Sequence, residues 1–271
     1  MTRLVNLRPN RGGAWALGAL PFLVLFAAYL LGSNARLAAN ADDKLLPAAS
    51  TLIASVRSYA FEEDTRSGHV LLWVDTAASL TRLMAALLIS SVLGIVAGLW
   101  IGAVPYVRAF AAPFVTAISM IPPLAILPIL FIVLGLGEVA KITLIVIGVA
   151  PCLIRDLALR AGELPNEQLI KAQTLGASSW LLSIRVILPQ LWPRLIDALR
   201  LTLGSAWLFL IAAEAIASTE GLGYRIFLVR RYLAMDVILP YVLWITVLAF
   251  GTDWALRTAR ARLFPWAETR A

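Results

Sequence analysis

One polar stretch interrupts an otherwise apolar chain, and the other segments are arranged around it: residues 166–193, NEQLIKAQTLGASSWLLSIRVILPQLWP. Asn166 is of a type that caps helix N-termini, and Glu167 complements the helix dipole in the first turn. Gly176 is a good left-handed C-terminal stop. We therefore predict a short helix over about 167–175, which lies in water and faces a partner.

A second helix of this stretch is predicted to begin at Ser178 or Ser179. Pro189 and Pro193 are then expected to redirect the chain toward the next apolar segment. The first helix carries apolar residues at every third position, which predicts one apolar stripe. They are Leu169, Ala172 and Leu175.

The composition is that of a membrane protein. Of the 271 residues, 61% are hydrophobic and only 14% are charged, and the hydrophobic residues form long blocks. The net charge of +7 does not indicate nucleic-acid binding, because the basic residues lie mostly between or beyond these blocks, as topology signals do. Cys152 and His69 are the only residues of their types. We therefore expect no disulfide within the chain, no bound metal and no cofactor.

Six apolar blocks are long enough to cross a hydrocarbon layer of ~30 Å. They cover residues 14–32, 75–102, 111–134, 139–157, 196–218 and 237–256. Six crossings place both termini on one side of the membrane. A cleavable signal peptide is the alternative for the first block, since a small-x-small site follows at 39–41. Residues 45–59 are expected to form an amphipathic helix on the outer membrane face.

The basic residues orient the six spans. Three arginines precede the first span, six basic residues lie within 155–200, and four arginines follow the last span. Both termini and the polar stretch are therefore predicted to be cytoplasmic. Three arginines of an outer loop depart from this rule: Arg225, Arg230 and Arg231. They either bind an acidic partner or pair locally with Glu220 and Asp236.

Three prolines in the third block remove helix hydrogen bonds: Pro122, Pro123 and Pro128. The carbonyls that they free are tolerated in lipid only where neighbouring helices or a water-filled cavity satisfy them, so this block is predicted to line a pathway or the packed interior. Trp207 in the fifth block is predicted to shape a cavity beside it. The residues predicted to line the pathway are Ser119, Met120, Pro122, Pro123, Trp207 and Glu214.

Charges inside predicted spans are costly and are expected to pair. Arg82 is expected to pair with Asp75 or with Glu214, and attraction of an anionic substrate is its alternative role. Glu138 and Lys141, three residues apart, are expected to form a local pair. Two further local pairs are predicted near inner span ends, Asp197 with Arg200 and Asp253 with Arg257. The second block carries a close-packing face for another helix, made by Gly94, Gly98 and Gly102.

A set of short motifs follows in order along the chain. In the polar stretch these are Ala172, Gly176-Ala177 and Val186-x-Leu188-Pro189, which resemble the cytoplasmic "EAA" loop of ABC-importer permeases. The motif's glutamate falls on Ile170 and its first alanine on Lys171. The remaining motifs resemble the nitrate, sulfonate, taurine and bicarbonate branch of that family. They are Ser79-x-x-Arg82, Ile121-Pro-Pro-Leu-Ala-Ile-Leu-Pro128, Gly135-Leu-Gly-Glu138 with Lys141, Ala213-Glu214 and Gly221-Leu-Gly-Tyr224.

The resemblance implies an all-α polytopic membrane protein with six transmembrane helices, a type I ABC-importer permease-like fold and a cytoplasmic coupling helix. It also implies a second copy of the chain as a homodimer, two ATP-binding cassette ATPase subunits and a periplasmic solute-binding protein, in the bacterial inner membrane. The coupling helix is expected to dock into the ATPase subunit. The residues that would do so are Leu169, Ile170, Lys171, Ala172, Thr174, Leu175, Gly176 and Ala177.

Three divisions of the chain follow from this prediction: an N-terminal part with the first span over 1–70, a five-span core over 71–260 with a coupling loop at 158–195, and a cytoplasmic tail at 261–271. No Gly-x-x-x-x-Gly-Lys-Ser/Thr loop is present, so ATP and Mg²⁺ are expected on a partner. The predicted cargo is a small anion. An ion-coupled secondary transporter or channel is the main alternative, and a membrane-embedded enzyme is another.

Overall fold

The structure, a computed structural model, describes residues 9–40, 43–65 and 67–267. Arg3 and Arg8 of the basic N-terminal tail, and Arg270 of the C-terminal tail, lie outside the described residues. The helices are α1 Arg11–Ala39, α2 Ala49–Phe61, α3 Leu71–Ala103, α4 Pro105–Ser119, α5 Leu127–Leu134, α6 Glu138–Gly162, α7 Asn166–Thr174, α8 Ser179–Leu182, α9 Leu188–Ala217, α10 Leu222–Arg230 and α11 Met235–Leu263.

Five helical segments are long and apolar enough to cross a membrane: α1, α3, α6, the continuous run of α8 and α9, and α11. The bent pair of α4 and α5 provides a sixth span when it is counted as one. The all-α, six-span prediction is therefore confirmed. Each span begins before the apolar block that predicted it, because hydropathy marks the lipid-facing length and not the helix ends.

The third predicted span, 111–134, does not form a single helix. α4 ends at Ser119, a 3₁₀ turn covers Pro123–Ile126, and α5 leaves at 79° to α4. Two consecutive prolines explain the break. Neither has an N–H to donate, and Pro122, which precedes another proline, takes extended backbone angles of φ −66° and ψ 115°.

The prediction that Pro189 and Pro193 redirect the chain is also wrong. Helical structure continues without a break over Ser179–Ala217. A π turn at Ser183–Ile187 precedes α9. In this turn the Leu188 N–H donates to the Ser183 carbonyl. Pro189 lies in the first turn after it, where a missing N–H costs little. The polar stretch is therefore rigidly joined to a membrane-spanning helix.

The core lies between α3, α6 and α9. The predicted close-packing face on α3 is confirmed, since Gly94, Gly98 and Gly102 all lie against α6. A Cβ atom at Gly98 would lie 2.7 Å from the Cβ of Leu157. The two helix backbones approach so closely only because these positions lack side chains.

Two outer elements flank this core. α2 matches the predicted amphipathic helix at 45–59, although it begins four residues later. The preceding segment is tied to α1, because the Tyr29 hydroxyl donates to the Pro47 carbonyl at 2.6 Å and Ser33 donates to that of Leu46 at 3.0 Å. α10, between α9 and α11, was not expected from the sequence, which indicated only a loop there.

Candidate coupling and translocation sites

The helix α7 ends as the sequence predicts. Gly176 has a φ of +85°, which favours glycine. Its N–H donates to the Gln173 carbonyl at 2.9 Å, and the Ala177 N–H donates to the Ala172 carbonyl at 3.0 Å. These two bonds form a Schellman motif, which fixes the direction in which the chain leaves the helix. The predicted cap at Asn166 is wrong, because Pro165 occupies the cap position and Asn166 is the first helical residue.

The apolar residues of α7 lie on two faces. Leu169 and Ala172 pack against the core. Leu175 is 82% exposed and Ile170 is exposed as well, so the single predicted stripe is wrong. Each three-residue step turns ~60° short of a full helical turn, which carries Leu175 about a third of a turn away from Leu169. With Trp180 of α8, the exposed residues Ile170 and Leu175 form what we call the apolar tip.

The segment that follows connects the apolar tip to the membrane-spanning helix α9. The Ser178 hydroxyl caps α8 by accepting from the Leu181 N–H at 3.2 Å, which confirms the predicted helix start. A side-chain bond from Gln190 to Gln168, at 3.3 Å, joins the beginning of α9 to α7. α7 is therefore joined to the start of α9 by this side-chain bond as well as by the intervening chain.

The break between α4 and α5 brings together four residues predicted to line the pathway, Ser119, Met120, Pro122 and Pro123. Met120 is exposed. The Ser119 hydroxyl donates to the Thr116 carbonyl at 2.8 Å and accepts from Nη1 of Arg155, on α6, at 2.9 Å. Sequence reasoning missed Arg155 here, since it was counted only as a topology signal.

Trp207 and Glu214, which were also predicted to line the pathway, lie inside the chain. Trp207 is 5% exposed and Glu214 is 0% exposed. A residue that lines a pathway must present its side chain to the solute, so within one copy of the chain these two residues belong to the packed interior. Both are on α9, whose buried face they occupy.

The buried carboxylate of Glu214 is at the centre of a group of polar residues near the predicted outer end. Its oxygens accept from Nη1 of Arg82 at 2.7 Å, from Oγ of Ser79 at 2.8 Å and from the Gly223 N–H at 2.9 Å. Arg82 also donates through Nη2 to Glu138 at 2.9 Å. Of the two partners expected for Arg82, Glu214 is therefore confirmed and Asp75 is not.

Asp75 binds the outer segment instead. It accepts from the Gly221 N–H at 2.9 Å, from Nε of Arg225 at 2.8 Å and from the Tyr241 hydroxyl at 3.1 Å. Burial acts to lower the pKa of Arg225, but the hydrogen bond and the charge of Asp75 outweigh it and raise that pKa above its usual value. The partner of Arg225 is thus neither of the two acids expected from the sequence, and Asp236 accepts from Ser55 at 2.8 Å.

We call the residues of this group the outer charge cluster. Its members come from α3, α6, α9, the loop before α10, α10 itself and α11: Asp75, Ser79, Arg82, Glu138, Lys141, Glu214, Glu220, Arg225 and Tyr241. The predicted local pair of Lys141 with Glu138 is confirmed at 2.8 Å. Four of the motifs from distant parts of the sequence therefore meet at one place.

The charges at the opposite end of the spans pair across helices. Arg200 donates to Asp253 at 2.7 Å, and Arg260 lies 3.0 Å from Asp197. The predicted local pairs, Asp197 with Arg200 and Asp253 with Arg257, are therefore wrong. α9 and α11 pack together, so a partner on the neighbouring helix is closer than the one on the same helix.

Comparisons with known proteins agree with this architecture. The family described as "Binding-protein-dependent transport system inner membrane component" matches residues 90–264. The taurine transport system permease protein TauC of Escherichia coli is 39% identical over 72% of this chain and 71% of its own length. The putative aliphatic sulfonates transport permease protein SsuC of Bacillus subtilis is 26% identical over 98% and 93% of the two chains.

A solved structure shows the same fold. A chain of the MetNI methionine ABC transporter, in an inward-facing conformation, superposes with a TM-score of 0.57 at 20% identity, over 73% of this chain and 98% of that one. This chain therefore belongs to the family of binding-protein-dependent transport system inner membrane components, as a membrane-spanning permease.

Proposed function

We propose that two copies of this chain form the translocation pathway of an ATP-driven importer for a small anion, with the 166–193 segment docked on an ATPase subunit. Both termini and this segment lie in the cytoplasm of a bacterial cell, and the outer charge cluster faces the periplasm. A periplasmic binding protein delivers the solute. Two ATPase subunits, one for each docking segment, bind ATP and Mg²⁺, since this chain has no phosphate-binding loop.

The apolar tip is the observation that carries this proposal. Ile170, Leu175 and Trp180 expose apolar surface beside the Schellman turn at Gly176. A rigid apolar projection beyond the spans favours a groove of a partner protein over lipid or water. The EAA-like motif coincides with this projection. Two residues of the site predicted from the sequence, Ile170 and Leu175, belong to the apolar tip, which supports docking there.

The route from the apolar tip to the pathway supports coupling. α7 is bonded to the start of α9 through Gln168 and Gln190, and the chain from Ser179 to Ala217 is one continuous helical run. α9 in turn packs against α3 and α6. When the ATPase pair closes, the docked segments are expected to move α9 and so alternate inward-facing and outward-facing states. The broken span, with Ser119, Met120, Pro122 and Pro123, would line the pathway.

The relatives support an anionic cargo. Three kinds of relative are named for taurine, aliphatic sulfonates and bicarbonate, and each of these solutes carries an anionic group. We propose the same class of cargo for this chain, a small solute with an anionic group, and we do not select one compound from that class.

The test is co-purification of the ATPase subunit with this chain. We expect Leu175→Asp to lower recovery of the ATPase at least about tenfold, because an anchor of the apolar tip is replaced by a charge. Leu263→Asp is the matched control. Leu263 is 66% exposed at the C-terminal end of α11, so the same substitution there is expected to leave recovery unchanged.

Equal recovery with Leu175→Asp and with Leu263→Asp would contradict docking through the apolar tip. Solute uptake by vesicles that contain this chain but neither ATP nor an ATPase would support the ion-coupled alternative.

A further inference from the structure

The cavity between α4 and α6 has features that the docking proposal does not use. Its volume is about 600 Å³. We propose that it is the inner part of the solute pathway and that Arg155 is its anion-selecting residue, which rests on the transport role proposed above. The residues that line it and bear on this are Arg108, Cys152, Arg155, Asp156, Gly162 and Glu163.

Arg155 lies near the inner end of α6, two residues before the end of the apolar block 139–157. α6 ends at Gly162, so Arg155 lies seven residues, or ~10 Å, within the spanning helix. Its side chain is exposed. An arginine that faces hydrocarbon costs on the order of 3 kcal/mol, whereas one that faces a water-filled cavity keeps its hydration. The cavity lets Arg155 face water instead of lipid at this position.

The guanidinium groups of the cavity have no carboxylate partner among the described residues. Arg155 donates to the neutral hydroxyl of Ser119 at 2.9 Å. Arg108 donates to the carbonyls of Ile101, at 3.2 Å, and Gly102. Arg108 lies at the level of Gly162, near the cytoplasmic mouth. The two cations thus stand at two depths along the cavity.

The two carboxylates of the cavity share one further arginine. Arg160 lies 3.7 Å from Asp156 and 3.2 Å from Glu163. Three arginines therefore stand against two acids around the cavity, which leaves a net charge of +1 and a positive field.

The position of Arg155 at the helix break adds selectivity to this field. A guanidinium group has five N–H donors in a planar fork, and only one bond to Ser119 uses them in this structure. The remaining donors fit a sulfonate or carboxylate oxygen pair. An anion that passes the break can bind Arg155, while a cation is repelled there.

The reactivity of Cys152 provides a direct measurement of the electrostatic potential in the cavity. It is the only cysteine of the chain, it is exposed, and it lies one helical turn before Arg155 in the same cavity. In inverted membrane vesicles that contain this chain with its ATPase, the thiol is reacted with two impermeant reagents, sulfonatoethyl methanethiosulfonate and trimethylammonioethyl methanethiosulfonate. The rate with the anionic reagent is divided by the rate with the cationic reagent. This ratio, divided by the same ratio for a free thiol in solution, reports the sign of the local potential.

We expect the anionic reagent to be favoured in the unchanged chain. Arg155→Gln is expected to lower the ratio at least about threefold, because one unit charge within about a turn acts on the two reagents in opposite directions. Arg155→Lys keeps the charge and should keep the ratio within about twofold. Arg108→Gln, farther away, should lower it less. Arg257→Gln is the matched control, since Arg257 is exposed near the inner end of α11 and does not line the cavity.

Three outcomes would overturn the proposal: no reaction of Cys152 with either reagent, a preference for the cationic reagent in the unchanged chain, or an equal ratio in the Arg155→Gln and Arg257→Gln variants. These outcomes do not depend on docking. If the ATPase fails to co-purify while the ratio changes as expected, the proposed importer is wrong and the anion-selecting cavity stands. If the ATPase binds and the ratio does not change, only the role of Arg155 is wrong.

Discussion

The two ends of the spans are built differently. At the outer end, Asp75, Arg82 and Glu214 are buried and take part in hydrogen bonds that join α3, α6, α9, α10 and α11. At the inner end, the apolar tip has no such bonds and leaves Leu175 almost fully in solvent. The outer end holds its helices together with buried charges that are costly to separate. The inner end has partly exposed ion pairs, such as Arg200 with Asp253, and also presents an apolar surface that another protein can hold. Motion driven from the inner end is therefore expected to pivot on the outer one.

The largest effect is expected from breaking the outer charge cluster. Arg82→Leu leaves the carboxylate of Glu214, which is 0% exposed, without its cation. Removal of one partner of a buried pair costs about 3–5 kcal/mol. The thermal midpoint of the purified chain in detergent should fall clearly.

The double variant Arg82→Leu with Glu214→Leu should recover a large part of that loss, since no buried charge is then unpaired. If Arg82→Leu unfolds at the same temperature as the unchanged chain, the outer end is not held by this pair.

An intermediate effect is expected at Gly221, also at the outer end. Gly221 has a φ of +125°, and a Cβ atom there would lie 2.6 Å from Cδ of Glu214. Gly221→Ala therefore combines backbone strain with a collision against a packed carboxylate. Together they should lower the free energy of unfolding by about 2–4 kcal/mol. Thermal unfolding measures it, and a midpoint equal to that of the unchanged chain would mean that this loop can move away from Glu214 freely.

The smallest effect is expected at Gly176, at the inner end. Its φ of +85° also favours glycine, but no atom lies within 4 Å of a Cβ built there. Gly176→Ala should cost only the strain of the left-handed conformation, about 1 kcal/mol. Its unfolding midpoint should shift less than that of Gly221→Ala, while recovery of the ATPase falls.

Gly137→Ala is a control for both glycines, because Gly137 has a negative φ of −81° and open space around its Cα. A larger shift for Gly176→Ala than for Gly221→Ala would reverse the proposed difference between the two ends.

The sequence predicted what depends on neighbours along the chain. Long apolar blocks gave the spans, Gly176 gave the end of α7, and the three glycines of α3 gave the face packed on α6. It predicted the local pair of Glu138 with Lys141 and offered Glu214 as one of two partners for Arg82, but it missed the pair of Arg225 with Asp75. Arg82 and Glu214 are 132 residues apart and Arg225 and Asp75 are 150 residues apart, so their pairing follows from the packing of whole helices.

The candidate sites divide in the same way. A local motif predicted the docking segment. It did not predict that Leu175 faces solvent, because the helix rotates by a third of a turn between Leu169 and Leu175. Prolines located the broken span, yet they did not show that α5 leaves at 79°. Arg155 was counted as a topology signal, because only the three-dimensional arrangement places it beside Ser119.

The central claim is that the apolar tip lies in the cytoplasm and touches the ATPase subunit. The most direct measurement places a photo-crosslinking amino acid, p-benzoylphenylalanine, at Leu175 in the chain expressed with its ATPase. Its partner for comparison is the same substitution at Ile53, which is 70% exposed on α2 at the opposite end. We predict an ATPase adduct from position 175 and none from position 53. An adduct from position 53 alone, or from neither position in an assembled complex, would contradict the account.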